Sequence, residues 1–351
     1  MDDHSQEHNS DADGAIEAMG AAISRTGQQH PQKTLFLNAR VCDFLNEFDA
    51  GFVNVQQYFK PYAAALEKAG FKPHPDLGAE YAYDCALVLV PKKMLEARGV
   101  IAKAISVLKP GGSILCAAGN KSGGTRLKKM LQDFGITNIA EISKSHARAA
   151  WGVKNNIDQG AIDSAIHAAR VQKISGDFYS VPGLFGWDKI DKGSEILTAH
   201  LPDDFLIDFQ GRGADFGCGY GYLARHALQK TTPDIHITCI DADWRAVEVC
   251  KKNLSEFENT SYLWADLTAP VPGLKNLDWV IMNPPFHEGK KTQIGIGKSF
   301  IKTAAACLRP GGVLWMVGNA HLPYEEILKA EFATRQKIHE GMGFKVFRAV
   351  K

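Results

Sequence analysis

Between residues 281 and 289 the chain reads IMNPPFHEG: an apolar run stops on an amide, two prolines follow, and then an aromatic ring. These residue types suit the presentation of an exocyclic amine to an electrophile. The lone pair of such an amine is delocalised into its ring and is poorly nucleophilic. Two acceptors placed on its hydrogens pull the nitrogen toward tetrahedral geometry and aim the lone pair. The side-chain carbonyl of Asn283 and the backbone carbonyl of Pro284 are two such acceptors. Pro284 and Pro285 stiffen the loop and remove competing N–H donors, and Phe286 offers a face on which a base can stack. Transfer is then an in-line displacement governed by position and electrostatics. Taken alone, Asn-Pro-Pro-aromatic reads equally well as a stiff strand exit.

The second group lies upstream, in DFGCGYG at 215–221. Gly217, Gly219 and Gly221 allow a tight turn and close approach of backbone to a ligand, with the N–H groups of a following helix aimed at it. The dinucleotide form G-x-G-x-x-G fails, because Tyr222 stands where its third glycine belongs. Asp241 ends the next apolar run, 24 residues after Gly217, where a carboxylate can accept both hydroxyl hydrogens of a ribose. The pattern suits a nucleoside-containing ligand that needs no pyrophosphate cradle, and S-adenosylmethionine fits that description. Asp266, in WADL, stands where it can take an adenine amino group, or is simply a turn residue.

Residues this far apart must be brought together by a scaffold. In the second half, ADFGC (214–218), HITCI (236–240), DWVIM (278–282), VLWMV (313–317) and FKVFRAV (344–350) read as strands, with helices near 222–230, 244–256 and 297–307. In the first half, TLFLN (34–38), CALVLV (85–90) and SILCAA (113–118) read as strands, with helical periodicity over 95–108. Such alternation predicts α/β sheets. VLKPGGSILCAAGN and CLRPGGVLWMVGN share helix end, Pro-Gly-Gly turn, strand and Gly-Asn at an offset of 200 residues. The expectation is a duplication giving two tandem Rossmann-like domains, 33–170 and 171–351, after a disordered acidic tail at 1–32. The first copy carries neither glycine loop nor Asn-Pro-Pro-Phe, so it reads as degenerate.

Composition narrows the function classes. A chain of 351 residues is long enough for two cores. It has no run of about 18 apolar residues, so no membrane span is expected. The polar, acidic start does not read as a signal or transit peptide. The seven cysteines form no C-x-x-C pair and read as reduced core thiols of a cytoplasmic protein, and no metal site is expected. Net charge is only +1, yet residues 92–154 carry twelve Lys/Arg against three Asp/Glu. That lopsided stretch is a candidate phosphate-contact surface, with Lys121, Arg126, Lys128 and Lys129 in NKSGGTRLKKM as its centre. A helix starting near Thr125 would put 126 and 129 on one face.

DFGCGYG, CIDAD and NPPF together resemble a class I S-adenosylmethionine-dependent methyltransferase acting on nitrogen. NPPFHEGKKTQIG, LRPGGVLWMVGNAHLPYE and VPGLFGWDKIDKGSEILTAHLP narrow this: they resemble the bacterial rRNA guanine-N2 methyltransferases of the RsmC-like family. The similarity covers the chain from about residue 85. It implies that Asp215, Gly217, Gly219, Gly221, Asp241 and Asp266 bind S-adenosyl-L-methionine and that Asn283, Pro284, Pro285 and Phe286 form the catalytic loop. It further implies that Asp191, Gly193 and Ser194 line the cofactor pocket. His287 and Glu288 belong to the motif without a chemical role read from it. By the resemblance, the first domain is a decayed copy that helps to bind RNA, and the substrate is ribosomal RNA or a ribosomal subunit, with a small-subunit guanine expected and a monomer plausible. Methylation of large-subunit rRNA, of a release-factor glutamine or of DNA adenine N6 stays open, as does a non-catalytic RNA-binding assembly factor.

Overall fold

In the computed structural model, residues 5–26, 33–48, 51–77, 82–202, 208–230, 234–285 and 290–351 are described. The chain divides after Arg170 into two compact units, Met1–Arg170 and Val171–Lys351.

Unit 1 runs α1 (Ser5–Thr26), β1 (Thr34–Leu37), β2 (Val53–Gln56), α2 (Lys60–Lys68), β3 (Tyr83–Leu89), α3 (Met94–Ser106), β4 (Leu108–Gly119), α4 (Leu127–Asp133), β5 (Thr137–Lys144), β6 (Ala147–Val153) and α5 (Gln159–Ala168). Unit 2 runs β7 (Gln172–Lys173), β8 (Tyr179–Ser180), α6 (Lys192–Ala199), β9 (Arg212–Phe216), α7 (Tyr222–Lys230), β10 (His236–Asp241), α8 (Trp244–Asn253) and β11 (Thr260–Trp264). It continues with β12 (Leu277–Met282), α9 (Lys290–Cys307), β13 (Leu308–Asn319), α10 (Glu325–Glu331), β14 (Thr334–Gly341) and β15 (Phe344–Val350).

The two main sheets share one strand order, except that unit 2 carries one further edge strand, β11. Unit 2 orders its strands β11-β10-β9-β12-β13-β15-β14, and unit 1 orders them β2-β1-β3-β4-β6-β5. In both, parallel strands are joined by an antiparallel hairpin at one edge: β15 pairs antiparallel with β13 and β14, as β6 does with β4 and β5. The repeated Pro-Gly-Gly turns match in their bonding. Gly111 and Gly311 both have φ +77° and donate to Lys154 and Lys351 carbonyls, each at 2.8 Å. Asp84 takes the N–H of Lys33 and the Lys109 ammonium, and Asp278 takes the N–H of Arg212 and the Arg309 guanidinium. The aspartate thus clamps the start of the first parallel strand to the turn in each copy. The alternation of strand and helix is read correctly from sequence. The edge strands β2, β5, β11 and β14, which are short or largely polar, are not, and neither is β6, an inner strand rich in alanine.

The acidic tail expected to be disordered holds α1. Its charged residues hide a stripe of small apolar ones: Ala15, Ala18, Met19, Ala22 and Ile23 are buried with Phe36, Phe44, Leu45, Leu115 and Ala149. Gly14 lets the helix approach closely, since a Cβ there would lie 2.2 Å from the Ser145 carbonyl oxygen. Helix α1 packs on β4 and β6, as α6 packs on β13 and β15 in unit 2. It is the first copy's version of the helix that precedes the glycine strand. Burial of that stripe at about 25 cal/mol per Å² outweighs the unfavourable charge pattern that suggested disorder.

Candidate active site

The sheet register of unit 2 sets the site. Phe216 pairs with Ile240 on one side and with Met282 on the other. The next residues in the three strands are Gly217, Asp241 and Asn283, so three segments distant in sequence leave adjacent strands at the same carboxyl edge. This is where the strand order reverses around β9, the usual place for a ligand in an open α/β sheet.

The glycine loop is held from below by two carboxylates. Oδ2 of Asp215 accepts the N–H of Ala224 in α7 at 3.0 Å, while its Oδ1 is buried with no partner among the described residues. Burial raises the Asp215 carboxyl to about 8. Asp241 accepts the N–H of Gly219 on Oδ2 and that of Asp243 on Oδ1, both at 2.9 Å. Burial raises its carboxyl to about 6, against the opposing pull of those N–H groups. The helix N-cap nearby is Asp243, which accepts from Arg245, so Asp241 is not the cap of α8. Gly219 has φ +53° with open space where a Cβ would point, and Gly221 has φ +89° with Sγ of Cys250 2.9 Å from that position. The loop therefore needs glycine for conformation at Gly219 and for both conformation and space at Gly221. Asp266 closes a turn onto Thr268, accepting its N–H at 2.8 Å and its hydroxyl at 2.6 Å on one oxygen and leaving the other outside these bonds.

Asn283 is oriented by residues that sequence reasoning assigns elsewhere. Its amide nitrogen donates to Oδ2 of Asp191 at 2.7 Å and to Oγ of Ser194 at 2.9 Å. Its Oδ1 is buried with no partner among the described residues. Asp191 is the N-cap of α6, and the same Oδ2 takes the N–H of Ser194 at 2.9 Å. Gly193 lies between them, with a Cβ position 3.0 Å from Oδ2 of Asp191 and 3.0 Å from the Phe344 ring. Asp191 and Ser194 therefore contact the Asn-Pro-Pro loop. Nothing in the sequence marks the contact, because Asp191 and Asn283 are 92 residues apart. Pro284 is buried and Pro285 exposed. Phe286, His287 and Glu288 lie outside the described residues.

These features fit a nucleoside-bearing cationic cofactor. They supply an orphaned buried carboxylate oxygen, an open glycine turn and a second carboxylate at the neighbouring strand end. Among the described residues, no group of three or more His, Cys, Asp and Glu could hold a metal ion.

Unit 1 has lost each of these elements at the same register. Leu37 pairs with Gln56 and Val88, which makes Asn38, Gln57 and Leu89 the counterparts of Gly217, Asp241 and Asn283, and Phe36 that of Asp215. Gln57 takes the N–H of Phe59 as Asp241 takes that of Asp243, but its NH2 donates to the Ala39 carbonyl at 2.8 Å. Asn38 donates to the Leu89 carbonyl at 2.9 Å. The vestigial loop is bonded largely to its own strands, although Oδ1 of Asn38 is buried without a partner among the described residues.

The basic cluster of unit 1 is split. Lys121, Arg126, Lys128 and Lys129 are all exposed or half-buried at the surface. No helix starts at Thr125: a 3-10 turn spans Gly124–Arg126, and α4 begins at Leu127. The loop glycines delay the regular helix, Gly123 standing at φ +101°. Lys129 pairs with Asp133 at 2.7 Å, holding that carboxyl below its usual range, and Asp133 also takes Arg98 at 3.2 Å.

The family model for the methyltransferase small domain matches residues 175–348, and that for its N-terminal domain matches residues 21–145. The ribosomal RNA small subunit methyltransferase C of Shewanella putrefaciens is 30% identical over 282 residues, covering 78% of this chain and 78% of its own length. That of Aeromonas hydrophila is 29% identical, covering 83% of each. The fold is that of a T. thermophilus 16S rRNA N2 guanine methyltransferase solved with AdoMet and guanosine, at TM-score 0.77 and 21% identity over 96% of this chain and 91% of that one. With two sheets of shared strand order, one of them keeping the glycine loop and the oriented amide, the chain belongs to the ribosomal RNA small subunit methyltransferase C family.

Proposed function

We propose that the protein transfers a methyl group to the exocyclic N2 amine of a guanine in 16S ribosomal RNA. The observation that carries the reading is the Asn283 amide, whose nitrogen is fully engaged and whose buried oxygen lacks a donor among the described residues, one strand away from the Gly217 loop. S-adenosylmethionine, when bound, supplies an electrophilic methyl group. Gly217, Gly219 and Gly221 would let the backbone approach it, Asp241 would accept the ribose hydroxyls, and Asp215 would hold the loop from beneath through the N–H of Ala224. Asp266 serves the adenine through the oxygen not used by Thr268. Oδ1 of Asn283 and the carbonyl of Pro284 each accept one hydrogen of the guanine amine, which localises the nitrogen lone pair and aims it. Phe286 provides the stacking face. The proton leaves after transfer, so no side chain need act as base. Unit 1 holds RNA through Lys121, Arg126, Lys128 and Lys129, the last of which also pairs with Asp133.

No helix among the described residues is long and apolar enough to cross a membrane. A ribosomal substrate implies a cytoplasmic protein, and one chain containing both an RNA-holding and a catalytic unit can act as a monomer. The test is methyl transfer from labelled S-adenosylmethionine to small subunits, large subunits, naked rRNAs, DNA and release factor, followed by mapping of the modified base. Label on a guanine of small-subunit rRNA is the expected result. Label only on DNA, protein or large-subunit rRNA, or no transfer at all, would overturn it.

A further inference from the structure

We propose that Asp191 and Ser194 are positioning residues for the Asn283 amide, acting through Asn283 and not through cofactor contact. The inference rests on the role given to Asn283 above. An amide can flip, and the two orientations have opposite chemistry: with its oxygen outward it accepts from an amine, with its nitrogen outward it repels one. The carboxylate of Asp191 decides the matter, because an ionised carboxylate has no hydrogen to give and only the NH2 arm can face it. The NH2 arm is 2.7 Å from Oδ2 of Asp191 and 2.9 Å from Oγ of Ser194, so both amide hydrogens have acceptors.

Asp191 and Ser194 are themselves fixed. Ser194 is 7% exposed, and its N–H is bonded to the same Oδ2 that receives the amide. Helix α6, which carries Ser194, is seated on the sheet by Ile196 and Leu197, both buried. What remains of Asn283 is a buried carbonyl oxygen without a donor among the described residues, an unfavourable state where nothing relieves it. Such a group is tolerated where a ligand completes it. The cap of α6 thus doubles as the clamp that points the acceptor at the substrate. Gly193 between them leaves the clamp undisturbed, because an added Cβ would lie 3.0 Å from both the Asp191 carboxylate and the Phe344 ring and one of them would have to shift.

The experiment is a double-mutant cycle on the full-length protein with its RNA substrate. Ser194→Ala and Asp191→Asn are each made in the wild type and in Asn283→Ala. The readouts are kcat and KM for methyl transfer, cofactor affinity by calorimetry without RNA, and thermal stability. Asp191→Asn keeps a good helix cap and the side-chain volume, so it serves if Ser194→Ala folds poorly. Ser194→Ala removes one hydrogen bond to the amide, and Asp191→Asn exchanges a charged acceptor for a neutral one whose donor arm no longer dictates which way Asn283 faces; each is expected to lower kcat roughly 3–10-fold, with cofactor affinity within twofold. In the Asn283→Ala background the same changes should cost less than twofold. Losses that persist undiminished in that background, or a cofactor affinity that falls in step with kcat, would overturn the proposal and return both residues to the cofactor pocket or to a purely structural role. Full activity of Asn283→Ala by itself would instead overturn the reading of Asn283 on which the proposal stands.

Discussion

Replacement of Asp241 by Asn tests whether a carboxylate, and not merely a polar side chain, sets the glycine loop. Each oxygen of Asp241 accepts one backbone N–H, from Gly219 and from Asp243, both at 2.9 Å. An amide offers one acceptor, so its NH2 must face one of those N–H groups, donor against donor. Either the Gly219 turn or the turn into α8 has to open. A bond to a charged acceptor contributes about 1.5–3 kcal/mol, so cofactor affinity should fall by roughly 10–100-fold. Unit 1 shows the arrangement an amide requires: Gln57 keeps the equivalent N–H of Phe59 but turns its NH2 to a carbonyl, that of Ala39. The carboxyl of Asp241 lies at about 6 because burial raises it. Ribose hydroxyls donate, so they favour the ionised form and binding expels the proton. Wild-type affinity should therefore weaken as pH falls through about 6, and Asp241→Asn should be flat over that range. Calorimetric titration with S-adenosylmethionine between about pH 5 and 8, a span bracketing that carboxyl, measures both effects. Mutant affinity within twofold of wild type, with the same pH dependence, would refute the reasoning.

Two further outcomes are expected. Asp215 is fully buried and its carboxyl lies at about 8, raised by burial, so the folded apoprotein binds this proton more tightly than the unfolded chain. Stability should drop as pH rises from about 4 to about 8, by on the order of a few kcal/mol, and Asp215→Asn should remove the part of that slope above about pH 6, with Asp241 still contributing below it; parallel denaturation curves for the two proteins above about pH 6 would contradict the assignment. In unit 1, Arg126→Ala with Lys128→Ala should reduce the log–log salt slope of RNA binding by about 0.7–0.9 per lost contact, and adding Lys129→Ala should change it less because of the Asp133 pair. Equal slopes for wild type and variants would leave these cations as a solvated face.

The glycine loop, the Asn-Pro-Pro turn and the repeated Pro-Gly-Gly turn are legible in the sequence because each is local. A glycine with positive φ, a proline without N–H and a strand that ends on a polar residue act within a few residues of themselves. The strand–helix alternation is legible for the same reason, since periodicity is a local property. The edge strands β5, β11 and β14 escape because they are bonded on one side and carry mixed faces. Helix α1 escapes because its apolar stripe is mostly alanine, which composition does not distinguish from a polar tail. The tertiary structure alone decides which side chains meet. Register carries Asp241 and Asn283 to the same edge, and the seat of α6 brings Asp191 and Ser194 to the amide. Such contacts join segments with no periodic relation, so spacing along the chain contains no trace of them. Residue types along the chain set which groups are able to do the chemistry; the packing of α6 against the sheet sets which way the amide points.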